Sequence, residues 1–259
     1  MNGDTVMTTT PASRLAPAPG RLRLTPARVL TLLIGVPLVL ALIGWLGFTT
    51  VALVGQASYQ VSYAIPVTGG QLVAGVGGSN VTLRQGPGQT AHLTGSVQYD
   101  LIRPGLSEST GPNGTSLDVR CRIPVGSCGL NATLEVPAQT AVTLSSGGGD
   151  LTASDLTGIG KFSTSGGDIT GNDLAAPSVN ADSGGGDVTL VFAKPPANLD
   201  ITSDGGDITV LVPHGATTYH ITGSADGGND SESVPTSALS HNTISVESGG
   251  GDITIAEAS

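Results

Sequence analysis

One phrase recurs through the C-terminal half of the chain. It reads Ser146-Gly-Gly-Gly-Asp150-Leu-Thr152, Ser165-Gly-Gly-Asp168-Ile-Thr170, Ser183-Gly-Gly-Gly-Asp187-Val-Thr189, Asp204-Gly-Gly-Asp207-Ile-Thr209 and Ser248-Gly-Gly-Gly-Asp252-Ile-Thr254. The Asp residues stand 18, 19, 20 and then 45 positions apart. A regular period near 20 residues signals one short unit stacked on copies of itself.

Each unit reads as strand, glycine corner, strand. Apolar residues alternate before the corner, as in Val142/Leu144, Val179/Ala181 and Leu199/Ile201, and after it, as in Ile169, Val188/Leu190 and Ile208/Val210. Period 2 puts them on one face of each strand, so the stack predicts a narrow aliphatic core. Thr152, Thr170, Thr189, Thr209 and Thr254 have the opposite phase and are expected as an outward ladder. The gap of 45 equals about two units. Its corner, Asp226-Gly-Gly-Asn-Asp230, is followed by Ser231 and Ser233 where aliphatics are wanted, so residues 226–234 are expected to bulge from the stack as a loop. Little chain follows Asp252, which leaves the final unit either a docking edge or one blunted by Glu257.

The N-terminal quarter is different in kind. Residues 1–28 are rich in Thr, Ala and Pro with scattered Arg, the composition of a disordered tail. The run 29–54 is almost wholly apolar, and no charged side chain occurs between Arg28 and Arg84. It has 26 residues, against the ~20 a membrane span needs. It is too long for a signal peptide's apolar core. One transmembrane helix is therefore expected, contacting the lipid bilayer through 29–54. Arg14, Arg21, Arg23 and Arg28 precede it, which predicts a cytoplasmic N-terminus and an extracytoplasmic remainder at the cell membrane. Residues 55–68 read as a juxtamembrane segment and 69–259 as one all-β domain, irregular over 69–140 and regular over 141–259.

Charge narrows the partners. From Gln56 onward there are 6 basic and 19 acidic side chains, a balance of −13. Such a surface repels nucleic acid, and no nucleic-acid partner is expected. Cys121 and Cys128 are the only cysteines. Metal binding would need nearby His partners, and none of His92, His214, His220 or His241 has that spacing. A Cys-x-x-Cys redox pair is absent. In an external domain a structural Cys121–Cys128 disulfide is the preferred reading.

These corners resemble those of a bacterial family of surface proteins, the putative adhesins, built on Ser-Gly-x-Gly-Asp-[Ile/Val]-Thr-[Val/Ile]. The similarity covers Gly69 to Ala256 and is strongest from Asn131 onward, including Leu134-Glu-Val-Pro-Ala-Gln-Thr-Ala-Val-Thr143. The resemblance implies a right-handed parallel β-solenoid with units of about 18–22 residues. It also implies a membrane-anchored, non-enzymatic role in adhesion, envelope scaffolding or envelope sensing. A surface protein or a cell-envelope polysaccharide is the partner to expect.

Two other functions compete. A polysaccharide-cleaving β-helix uses clustered carboxylates, but here Asp150, Asp168, Asp187, Asp207 and Asp252 recur with the corner itself, whereas a catalytic pair is a local exception. A calcium-binding β-roll needs a period of about nine residues, which is absent. No catalytic group, metal or cofactor is assigned. The five Asp residues are read as structural, their carboxylates held by backbone N–H groups of their own corner rather than by a cation.

Overall fold

A computed structural model describes residues 34–35, 37–45, 57–99, 105–111, 114–120 and 128–258. The chain forms two compact units, Met1–Val51 and Ala52–Ser259.

In the first unit the described residues 34–35 and 37–45 are helical. The expected transmembrane helix is corrected: among the described residues, no helix is long and apolar enough to cross a membrane. Positions 29–33, 36 and 46–54 of the expected span lie outside the described residues.

The described residues of the second unit are strands and the turns between them. Its described strands, in chain order, are β1 (Ala57–Pro66), β2 (Gln71–Gly75), β3 (Asn80–Gln85), β4 (Thr90–Tyr99), β5 (Gly105–Gly111), β6 (Gly114–Arg120), β7 (Cys128–Val136), β8 (Ala141–Ser146), β9 (Leu151–Ser154) and β10 (Gly160–Thr164). They continue with β11 (Ile169–Leu174), β12 (Ser178–Ser183), β13 (Val188–Phe192), β14 (Asn198–Ser203), β15 (Ile208–Val212), β16 (His220–Ala225), β17 (Asp230–Ser233), β18 (Thr243–Ser248) and β19 (Ile253–Glu257). β1 falls within the expected juxtamembrane segment 55–68.

Two sheets result. The ten-stranded sheet runs β1-β4-β7-β3-β9-β11-β13-β15-β19-β17, and the nine-stranded sheet runs β16-β18-β14-β12-β10-β8-β2-β6-β5. Each glycine corner carries the chain from one sheet to the other. Inward residues of both join one hydrophobic cluster, including Leu144, Phe162, Val179, Leu190, Ile201, Ile208, Val246 and Ile255. Period-2 patterning thus yields the expected aliphatic core.

The right-handed β-solenoid expected from the repeats is also corrected. Both sheets stay open, and both contain antiparallel as well as parallel pairs. β1 pairs antiparallel with β4, and β4 antiparallel with β7, while β5 runs antiparallel to β6. The cause lies in strand length. β1 and β4 match over ten residues, from Ala57 opposite Tyr99 to Pro66 opposite Thr90. That makes a longer ladder than the repeat strands offer.

Chain order also breaks at both ends. β18 lies between β14 and β16, and β19 between β15 and β17. At the other end β2 lies between β6 and β8, and β3 between β7 and β9. Residues 226–234 are therefore no bulging loop. Asp230–Ser233 is β17, an outer strand exposed at all four positions. The final unit, β18 and β19, is internal, and its polar neighbours β16 and β17 form the edge.

Candidate functional site

The corners are built on a buried hydroxyl four residues before each Asp. Ser146, Thr164, Ser183, Ser203 and Ser248 are all buried. Each donates to a carbonyl in the adjacent unit and accepts from the glycine N–H three residues on. Ser183 Oγ donates to Gly167 O at 3.0 Å and accepts from Gly186 N at 2.9 Å. Ser203 donates to Gly186 O at 3.0 Å and accepts from Gly206 N at 2.9 Å. Thr164, Ser146 and Ser248 repeat the pattern. The result is one hydrogen-bonded relay of hydroxyls and glycine peptides along the interior. The glycine before each Asp is required by that closeness: a Cβ at Gly167, Gly186, Gly206 or Gly251 would lie under 3.0 Å from the preceding unit's carbonyl. Sequence reading aligned Ser165 and Asp204 with these serines. The structure assigns the position to Thr164 and Ser203, which the buried phase of β10 and β14 reveals.

The Asp row lies outside. Asp150 Oδ1 accepts from Asp168 N at 3.1 Å, Asp168 Oδ1 from Asp187 N at 2.9 Å, Asp187 Oδ1 from Asp207 N at 2.9 Å, and Asp207 Oδ1 from Asp252 N at 2.8 Å. Asn80 Oδ1 starts the row on Asp150 N, and Asp252 Oδ1 ends it on Asn229 N. The carboxylates are held by backbone N–H groups, but by those of the next unit rather than of their own corner. Among the described residues no group of three or more His, Cys, Asp and Glu could hold a metal ion. Cys121 and the side chain of Cys128 lie outside the described residues.

Beside the Asp row runs a row of hydroxyls across the whole sheet. Ser62 faces Thr94, which faces Thr133, then Thr82 and Thr152. Thr170, Thr189, Thr209, Thr254 and Ser231 complete it. The Asp row also continues past Asp150, but as neutral groups: Asn80 faces Asn131, which faces Ser96, which faces Gln60. In this neutral half the sheet carries a depression of about 430 Å³. Its walls are Gln60, Asn80, Asn131 and the three threonines 82, 94 and 133, and its floor includes Gly95 and Ala132. Sequence reading missed this place. The signal was present, since Asn80-Val-Thr82 and Asn131-Ala-Thr133 repeat the spacing of Asp150-Leu-Thr152 with amides in place of acids.

A third cluster closes the C-terminal end. His214 Nδ1 lies 2.5 Å from Glu257 Oε2, and Gly215 N donates to Glu257 Oε1 at 3.3 Å. The His214 hydrogen bond holds the Glu257 carboxyl below its ordinary value, against a smaller upward pull from desolvation. Among the described residues, the hydroxyl of buried Tyr219 has no hydrogen-bond partner. Burial first, and the Glu257 charge second, push its phenol up.

No family model and no curated protein matches the sequence. Among solved structures the chain is similar to a putative cell adhesion protein from Clostridium sporogenes, at 14% identity and TM-score 0.45, over 78% of this chain and 100% of that one. It is also similar to a putative adhesin from Bacteroides fragilis, at 12% identity and TM-score 0.40, over 78% of this chain and 97% of that one. A putative adhesin from Parabacteroides distasonis gives 14% identity and TM-score 0.35, over 78% and 97%. Likeness at this level transfers no residue's role.

Proposed function

We propose that the chain is a non-enzymatic surface-binding module whose working surface is the outer face of the ten-stranded sheet. The observation that carries this reading is the in-register pair of polar rows on that face. They place hydroxyls, amides and carboxylates at a repeated spacing of about 4.8 Å, the distance between neighbouring strands. A repeated surface suits a repeated or extended partner, such as an envelope polysaccharide or a surface protein. The five carboxylates argue against hydrolysis. They are equivalent by repeat, and each is bonded to the next unit's backbone, so none is singled out as an acid or a nucleophile.

Membrane attachment through the uncharged run 29–54 belongs to the same proposal and rests on the sequence. With the Arg-rich segment inside, the β domain faces outward. Protease added to intact, wall-stripped cells producing the chain should then remove the β domain. Full protection of the domain, with cleavage only after lysis, would show that it does not reach the surface.

A further inference from the structure

We infer that the depression between β1, β4, β7 and β3 binds a neutral polysaccharide chain. This deepens the surface-binding reading and rests on it. Every side chain lining the depression is uncharged, in a protein that carries 20 acidic residues. Its walls are amides and hydroxyls, groups that donate and accept alike. A polyhydroxyl ligand needs both functions at once, whereas an anion wants only donors and a cation only acceptors. The side chains of Gln60, Asn131, Thr94 and Thr133 make no hydrogen bond within the protein among the described residues, so their capacity is open to a ligand.

Charge and shape exclude the other occupants. The same row turns acidic at Asp150 and stays so through Asp252. An anionic polymer lying along it would meet carboxylate after carboxylate. A peptide adding as a strand needs unpaired backbone, yet β4, β7 and β3 are paired on both sides. An apolar ligand would find no apolar wall. At the floor, Gly95 and Ala132 let a ligand approach the backbone closely. A polymer whose repeat is comparable to the strand spacing, about 4.8 Å, meets an amide and a hydroxyl at each strand it crosses.

The test uses the full chain purified in detergent, in affinity electrophoresis through gels containing dextran, mannan or a neutral β-glucan, with alginate as the anionic control. At least one neutral polymer should retard the protein and alginate should not. Retardation should change less than twofold between low and high salt. The double variant Gln60→Ala/Asn131→Ala should weaken binding at least tenfold, and Asp207→Asn, at the acidic end, less than twofold. Both altered residues of the double variant are exposed and unbonded, so its melting curve should match the parent's. If it unfolds, Asn131→Asp provides the second arm: it keeps the shape and an acceptor but loses the amide's two donor hydrogens, and should weaken binding in a folded protein. Retardation by no neutral polymer, equal retardation by alginate, or undiminished binding by a folded variant overturns the inference. So does capture of a protein partner through Gln60 and Asn131 in place of any polysaccharide. Because the assay uses purified protein, failure here leaves the protease result standing, and protease protection leaves a positive gel result standing.

Discussion

The Ser183 hydroxyl is fully buried and makes three hydrogen bonds, two in its own corner and one to the adjacent unit. Alanine there strands the Gly186 N–H and the Gly167 carbonyl in an apolar interior. The expected loss is about 1–3 kcal/mol in urea unfolding. Threonine should cost less, since Thr164 fills the equivalent place. Asp207 behaves differently because it is exposed. Asp207→Asn keeps an oxygen for the Asp252 N–H and removes one charge between two neighbours. Unit charges ~4.8 Å apart repel by about 0.9 kcal/mol in water, so stability should hold or rise slightly. Asp207→Ala also loses the acceptor and should cost about 1 kcal/mol relative to Asn. A loss for Asn as large as for Ala would show that the charge itself is needed. At Glu257 the folded pKa lies below the unfolded one. Its contribution is therefore complete above the unfolded value and is lost as pH falls through the folded one. His214→Ala should move the Glu257 midpoint upward in a carboxyl NMR titration, and an unmoved midpoint would deny His214 this role.

At the scale of the element, the inserted C-terminal unit makes a prediction that chain order alone would not. Among the described residues, β16 and β17 pair only with β18 and β19, in parallel. Removing residues 243–259 therefore takes away the described sheet neighbours of β16 and β17. Both strands should lose amide protection in hydrogen exchange although they are still present, while β12 and β13 keep theirs. Retained protection of 220–233 would mean that β16 and β17 can re-pair onto β14 and β15. Gly223, at a φ of 130°, sits where a Cβ would collide with the Val246 carbonyl, so β16 approaches β18 closely there. The edge itself is guarded by charge, since β17 presents Asp230 and Glu232 to solvent.

For the whole molecule, the concentration of acid on one face sets the response to salt. The five carboxylates of the Asp row repel across neighbouring strands, and at 1 M salt the screening length falls to about 3 Å. Sodium chloride should therefore raise the melting temperature of the β domain. Calcium chloride at equal ionic strength should raise it no further, because the carboxylates are held by backbone N–H groups. A calcium-specific rise of many degrees, reversed by a chelator, would contradict this.

The repeated corner was enough, read as sequence, to place the alternating core residues from Val142 to Ile255 and the outward threonines. Those features depend on strand periodicity, which is local. It did not reveal the open mixed sheets, because the antiparallel pairing of β1, β4 and β7 joins residues far apart in the chain. Nor did it show that β18 and β19 slip between their predecessors. Both placements are choices among competing ladders, settled by total burial and pairing rather than by any one segment. The buried hydroxyls were half legible. Thr164 shares the inward phase of Phe162 and was legible in that way, but Ser203 was hidden behind Asp204 until burial separated inside from outside. The neutral groove was the least visible part. Gln60, Ser96, Asn131 and Asn80 come from four strands across the N-terminal half of the β domain, and only the tertiary register aligns them into one row with the acids.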